Sequence, residues 1–141
     1  MRGATLLELL TVLAVVGILT AITVPPVSRA LDRSATSAAA DRYAALFEAA
    51  RDQALAHARF TRLTLDTTQA RVALMERNSA GTWDTVRTWV LGDVGVEASQ
   101  PVATFSPIGI GWGASNGRLV LTRGAAAETL TVSRTGRLKR W

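Results

Sequence analysis

Gly3-Ala4-Thr5-Leu6-Leu7-Glu8-Leu9 opens a run from Ala4 to Val24 in which Glu8 is the sole charge, and the run stops at Pro25-Pro26. Roughly 20 apolar helical residues at about 1.5 Å each cover about 30 Å of hydrocarbon, so this stretch is long enough to span a bilayer. A carboxylate inside such a span costs about 2.5 to 3.5 kcal/mol at the membrane centre and less near an end, so Glu8 calls for a partner or a task. The natural partner is an amine.

Three readings of these first residues compete. A secretory signal needs a small-residue cleavage site after its apolar stretch, and Val24-Pro25-Pro26-Val27 supplies none. A plain signal anchor accounts for the apolar length and for Arg2 on the cytoplasmic flank, but it leaves Gly3 and Glu8 unexplained. A signal cut on the cytoplasmic side of the run, with the run retained, accounts for all of them.

On these residues the chain resembles the type IV pilins and the pseudopilins of type II secretion. Gly3-Ala4-Thr5-Leu6-Leu7-Glu8 is similar to a prepilin peptidase site, with glycine before the cut and glutamate as the fifth mature residue. Pro25, the twenty-second residue counted from Ala4, stands where pilins commonly carry a helix-bending proline. The resemblance implies cleavage between Gly3 and Ala4, N-methylation of Ala4, and filament assembly through Glu8 and Pro25. The partners it implies are the prepilin peptidase, other major and minor pilins, and an inner-membrane assembly platform.

Composition agrees with this reading. Beyond the apolar segment about 115 of the 141 residues remain, enough for one core and too few for two domains. There is no cysteine, and His57 is the only histidine. A Cys/His pair and a two-histidine metal site are thereby excluded within the chain, His57 among helix-forming Ala and Arg reads as an exposed helix residue, and no cofactor or enzymatic activity is expected. Asp32, Asp41, Glu48 and Asp52 alternate with Arg29, Arg33, Arg42 and Arg51 along a helical stretch and read as solvated helix charges. Gly109-Ile110-Gly111-Trp112-Gly113 looks like a phosphate loop only in isolation. It has no preceding parallel strand, no following helix and no acidic residue at the ribose distance.

The helix is expected to continue past the membrane. Leu31, Ala35, Ala39, Tyr43, Leu46, Phe47, Ala50, Ala54 and Ala58 recur at three- and four-residue spacing and form one apolar stripe. Pro25 and Pro26 remove two backbone donors, which predicts a kink or local unwinding between the halves. After Phe60 the texture changes to short alternating runs. Strands are expected at 62–65, 71–76, 83–91, 102–105, 118–123 and 128–134, the last continuing to Trp141, with a turn at Asn78-Ser79-Ala80-Gly81. The expected fold is α+β, a type IV pilin fold: a long N-terminal helix with a transmembrane first half, packed on an antiparallel sheet. Its parts are a leader (1–3), a membrane or filament-core helix (4–24), a soluble half of the helix (25–60) and a sheet domain (61–141).

The carboxyl end carries a second signal. Residues 118–141 hold Arg118, Arg123, Arg134, Arg137, Lys139 and Arg140 against Glu128 alone, so the entire formal charge of +5 resides there. Clustered cations neutralise phosphates, and Trp141 offers a face for stacking. Charges on an edge strand also block unwanted pairing, and the sequence supports both roles equally. The runs Phe105-Ser106-Pro107-Ile108-Gly109, Gly117-Arg118-Leu119-Val120-Leu121, Leu130-Thr131-Val132-Ser133 and Gly136-Arg137-Leu138-Lys139 are similar to the GspH/FimT branch of minor pseudopilins. FimT-like members use a Gly-Arg-x-Arg element for DNA. The resemblance therefore implies double-stranded DNA as a partner of Arg134, Arg137, Lys139, Arg140 and Trp141, with Lys139 keeping the charge of the family's arginine but not its bidentate fork. GspH-like members act in type II protein secretion with the same fold and no nucleic-acid duty. The expected location is the bacterial inner membrane, single-pass, with the domain outside the cytoplasm and, after assembly, in the filament.

Overall fold

A computed structural model describes residues 5–113, 116–133 and 135–141, apart from the side chains of 23–25. Gly3, Ala4 and Arg134 lie outside the described residues, as does the side chain of Pro25.

Helix α1 runs from Leu6 to His57 without interruption. Thr5 caps it, its Oγ1 accepting from the Glu8 amide at 3.3 Å, which satisfies one of the donors that a helix start leaves open. The expected unwinding at Pro25-Pro26 does not occur. The proline rings fix φ near the helical value, and the long helical runs on either side hold the register across two missing donors. At the far end Ala58 takes the left-handed conformation, φ 50°, and its amide turns back to Ala54 and Leu55.

Eight strands follow: β1 Thr61–Asp66, β2 Arg71–Arg77, β3 Trp83–Val90, β4 Gly95–Ala98, β5 Val102–Phe105, β6 Gly117–Arg123, β7 Ala126–Val132 and β8 Leu138–Arg140. The meander β1-β2-β3 is as expected, and the Asn78 side chain closes its second turn by accepting from the amides of Ala80 and Thr82, both at 3.0 Å. Two differences from the sequence reading matter. The strands form two antiparallel sheets, ordered β3-β2-β1-β5 and β4-β6-β7-β8, where one sheet was expected. Residues 95–98, which lie between the expected strands, form β4, and the last strand is broken by a turn at 133–137 into β7 and β8.

Both sheets pack on the same face of α1. Ala39, Ala40, Ala50 and Ala54 are wholly buried there, and their small side chains let the sheets approach the helix closely. Tyr43, Leu46 and Phe47 fill the space between, with the Phe47 and Phe105 rings edge to face at 4.9 Å. Burial raises the Tyr43 hydroxyl to a pKa of about 12. The core is completed by Leu63, Leu65, Val72 and Leu74 from the first sheet and Leu119, Leu121 and Leu130 from the second. The stripe is shorter than expected at both ends: Leu31 is 62% exposed, and Ala58 is the exposed cap residue. Thr36 begins the buried face instead, its hydroxyl donating to the Asp32 and Arg33 carbonyls at 3.1 and 3.0 Å.

Candidate functional site

The β7–β8 hairpin shapes the basic end. Ser133 and Arg137 pair through their backbones, the Ser133 amide donating to the Arg137 carbonyl at 2.8 Å, and the Ser133 Oγ accepts from the Arg137 amide at 3.0 Å. Gly136 turns the corner at φ 77°, so close to the core that a Cβ there would sit 3.3 Å from the Phe105 ring. The register then pairs Leu130 with Arg140, Thr131 with Lys139 and Val132 with Leu138. Because side chains alternate across a strand, Leu138 and Arg140 follow Leu130 toward the helix, while Lys139 and Trp141 follow Thr131 to the outer face.

This alternation splits the basic cluster. Arg140 grips Glu128 with two bonds of 2.9 Å and reaches α1 at Asp41 Oδ1 and Ser37 Oγ, each 2.7 Å away. The bidentate Arg140 pair holds the Glu128 carboxyl below the usual carboxylate range, and Glu128 in turn raises Arg140. Arg123 likewise reaches back to Asp32 at 3.3 Å and Asp93 at 3.6 Å. Asp32 and Asp41, expected to be solvated, are therefore helix–sheet bridges, whereas Glu48 and Asp52 are exposed.

The remaining cations share the outer face. Arg118 pairs with Thr131 across β6–β7, so Arg118, Thr131 and Lys139 form a row across three strands, with Arg137 exposed at its end. Among the described residues these three cations form no ion pair. Lys139 Nζ lies 3.5 Å from the centroid of Trp141, whose Nε1 donates to Thr131 Oγ1 at 3.2 Å, and the indole is 69% exposed. Arg118 belongs to the basic end counted from the sequence but was not among the expected DNA-binding residues. The period-two alternation marks its face, but only the strand register aligns it, across Thr131, with Lys139.

Other candidates resolve differently. His57 is exposed, yet its Nδ1 lies 2.8 Å from Glu76, which also accepts from Gln53 and Arg59. Gln53 first and His57 second hold the Glu76 carboxyl below its ordinary value. The glycine-rich segment is a surface loop, closed by the Ser106 amide on the Ile110 carbonyl, with exposed Trp112 edge-on to Phe60 at 5.5 Å. Among the described residues no group of three or more acidic or histidine side chains is placed to hold a metal ion.

The second functional surface is the N-terminal half of α1. Leucines, valines and isoleucines from Leu6 to Ile22 are all more than half exposed, and this is the one described helix long and apolar enough to cross a membrane. Two of its hydroxyls bond back to the helix: Thr11 donates to the Glu8 carbonyl at 2.8 Å and Thr20 to the Val16 carbonyl at 2.7 Å, so neither needs water or a partner in lipid.

A long helix carrying two small antiparallel sheets on its far half is also the arrangement of known filament subunits. The minor pseudopilin EpsH from the type 2 secretion system of Vibrio cholerae superposes with a TM-score of 0.63 at 11% identity, over 75% of this chain and 95% of that one. The type IV minor pilin FimU of Pseudomonas aeruginosa gives 0.62 at 15% identity, over 76% and 88%. No curated protein sequence matches significantly. The family model described as Type II transport protein GspH matches residues 39–136, from the first wholly buried alanine of α1 to the glycine of the last hairpin. With fold and sequence in agreement over more than half of its length, the chain belongs to the GspH family and is a GspH/FimT-like minor pseudopilin.

Proposed function

We propose that the protein is a minor subunit of a type II secretion or type IV pilus filament. It is held in the inner membrane by the first half of α1, with its domain outside the cytoplasm. In this reading the prepilin peptidase cuts after Gly3, the freed amine of Ala4 is methylated, and the subunit passes through an inner-membrane assembly platform to join other major and minor pilins. The observation that carries it is the uncovered apolar helix, which is continuous with a folded domain that has no use for it. Glu8 selects the docking register: its carboxylate pairs with the Ala4 amine of a neighbour, and misaligned docking leaves a charge unpaired in hydrocarbon. Pro25 adjusts the direction of the helix where it leaves the core of the filament. The test is Glu8→Leu, which should preserve membrane insertion and reduce incorporation into filaments. Normal incorporation would reject the assignment.

A second reading rests on the Arg118–Thr131–Lys139 row. Arg118, Lys139 and the neighbouring Arg137, which form no ion pair among the described residues, and an exposed indole on the same face suit the phosphates of double-stranded DNA, whereas Arg140, engaged by Glu128 and Asp41, secures the strand that presents them. A gel shift with residues 29–141 separates DNA capture from a role in protein secretion alone. Binding that weakens with salt and is lost in Arg137→Ala/Lys139→Ala supports capture, and no binding at low salt rejects it.

A further inference from the structure

Arg29 is the first charged residue after Glu8, and it marks where the apolar helix ends. Continued toward the membrane, the face of α1 that carries Ala40 and Thr36 becomes Arg33, Asp32 and Arg29, at three- and four-residue steps. At this level the helix meets the end of the second sheet, where Arg123 of β6 pairs with Ala126 of β7 and the hairpin between them touches α1. It is drawn in tightly: a Cβ on Gly124 would collide with the Asp32 carboxylate, and Arg123 on the same hairpin pairs with Asp32 at 3.3 Å. A small cleft remains between them, lined by Arg29, Asp32, Arg33, Ala125 and Ala126. Asp32 is answered by Arg123, while exposed Arg29 and Arg33 have no carboxylate partner among the described residues.

The height of this cleft follows from the helix rise. Taking Val27 as the last apolar residue, Arg29 lies about 3 Å and Arg33 about 9 Å beyond it. The headgroup layer occupies about 5 to 7 Å outside the hydrocarbon of each leaflet, and arginine side chains extend along the helix far enough to place both guanidiniums in it. Cations are ordinarily concentrated on the cytoplasmic flank of a membrane helix. Two unpaired arginines at the opposite boundary need anions there, and guanidinium forks match phosphate oxygens.

We infer that Arg29 and Arg33, with the β6–β7 hairpin tip as the opposite wall, form a binding site for the phosphate of anionic phospholipid headgroups in the leaflet that faces the domain. The site seats the underside of the domain on the bilayer before assembly, and it is emptied when the helix leaves the membrane. The inference rests on the membrane orientation proposed above. Each cation near a charged surface is worth about fivefold in lipid affinity, about 25-fold for two acting independently, and with partial screening at the exposed surface the pair should enrich anionic lipid by about tenfold over its share of the bilayer.

The test uses the full chain reconstituted into nanodiscs of phosphatidylcholine doped with phosphatidylglycerol, then released into neutral detergent, with retained lipids counted by mass spectrometry. Wild type should retain phosphatidylglycerol at about ten times its bilayer share. Arg29→Gln/Arg33→Gln should return to that share, and Arg29→Lys/Arg33→Lys should keep a reduced preference. A chain that enters the discs but retains lipids at the bilayer ratio overturns the lipid site and leaves the membrane anchor standing. A chain absent from the discs overturns both. A preference abolished by excess inorganic phosphate also overturns the proposal, because the site would then be one for free anions.

Discussion

Two neighbouring cations, Lys139 and Arg140, have similar charge and opposite duties, and substituting each in turn separates stability from binding. Arg140→Ala removes the bidentate pair with Glu128, which is 22% exposed, and the contact with Asp41, which is 69% exposed. A buried charge-assisted bond is worth about 1.5 to 3 kcal/mol and an exposed pair about 0.2 to 1, so the partly covered Glu128 pair sets the loss at about 1 to 2 kcal/mol. For a domain of this size that lowers Tm by about 5 to 10 °C. Residues 29–141 suit the measurement, because the buried face of α1 starts at Thr36 and the whole core lies within them. The cost should also depend on pH. Arg140 depresses the folded pKa of Glu128, so the stabilisation is present above the ordinary glutamate value of about 4.3 and is lost as pH falls through the lower folded value. Lys139→Ala, on the outer face, should leave Tm within about 2 °C and, if DNA binds there, reduce the slope of log affinity against log salt by about one. The reasoning is refuted if Lys139→Ala destabilises more than Arg140→Ala, or if Arg140→Ala keeps its full stability while taking a unit off the salt slope.

Three further outcomes are open to direct measurement. Ala58→Gly should raise stability by about 0.5 to 1 kcal/mol in denaturant unfolding, because glycine relieves the left-handed cap at φ 50°; a loss would mean the cap carries no strain. Phe105→Ala should cost about 3 to 5 kcal/mol by the same assay, since the ring is buried against Phe47 and under Gly136. Glu76→Gln should flatten the acid limb of the stability curve: the lowered folded pKa of Glu76 gives stabilisation above about pH 4.3 that disappears as pH falls through the folded value. An unchanged acid limb would place its control elsewhere.

The α1 stripe could be read from the sequence because Ala39, Tyr43, Phe47, Ala50 and Ala54 repeat at the helical period and the chain between them has no breaker. Its ends could not. Leu31 is apolar enough for the core, but at its level the β6–β7 hairpin meets Asp32, about 100° around the helix from it, and Ala58 carries no sign of the left-handed turn that glycine would have announced. Strand β4 escaped because Val96 is its one core side chain and Gly92, Gly95 and Pro101 surround it, so no alternation can develop. The division into two sheets follows from pairings between distant segments, β5 beside β1 and β4 beside β6, for which local pattern holds no information. The basic end was legible as a charge excess. Its sorting into Arg140 within and Lys139 without depended on where the turn at 133–137 places β8 against β7.

The uncovered helix sets the energetic problem that assembly must solve. Among the described residues from Leu6 to Ile22, eleven large aliphatic side chains are exposed. Covering each is worth about 1.5 to 3 kcal/mol, so exposure to water would cost on the order of 20 kcal/mol, more than the 5 to 15 kcal/mol that holds an ordinary domain together. The segment must therefore always be covered, by lipid or by other helices. Between those two it has little preference, because lipid tails are as apolar as leucine and give helices no hydrophobic reason to associate. What lipid cannot satisfy is Glu8. At the third position of the helix its charge lies in the first turn, near the positive end of the helix dipole, which lowers the cost of residing there without removing it. An amine at the start of a neighbouring helix would remove it, and would do so in one register only. On this account Glu8→Leu should be more stable in the membrane than wild type and should accumulate there as unassembled subunit. A variant that instead disappears from the membrane would show that Glu8 serves insertion rather than docking.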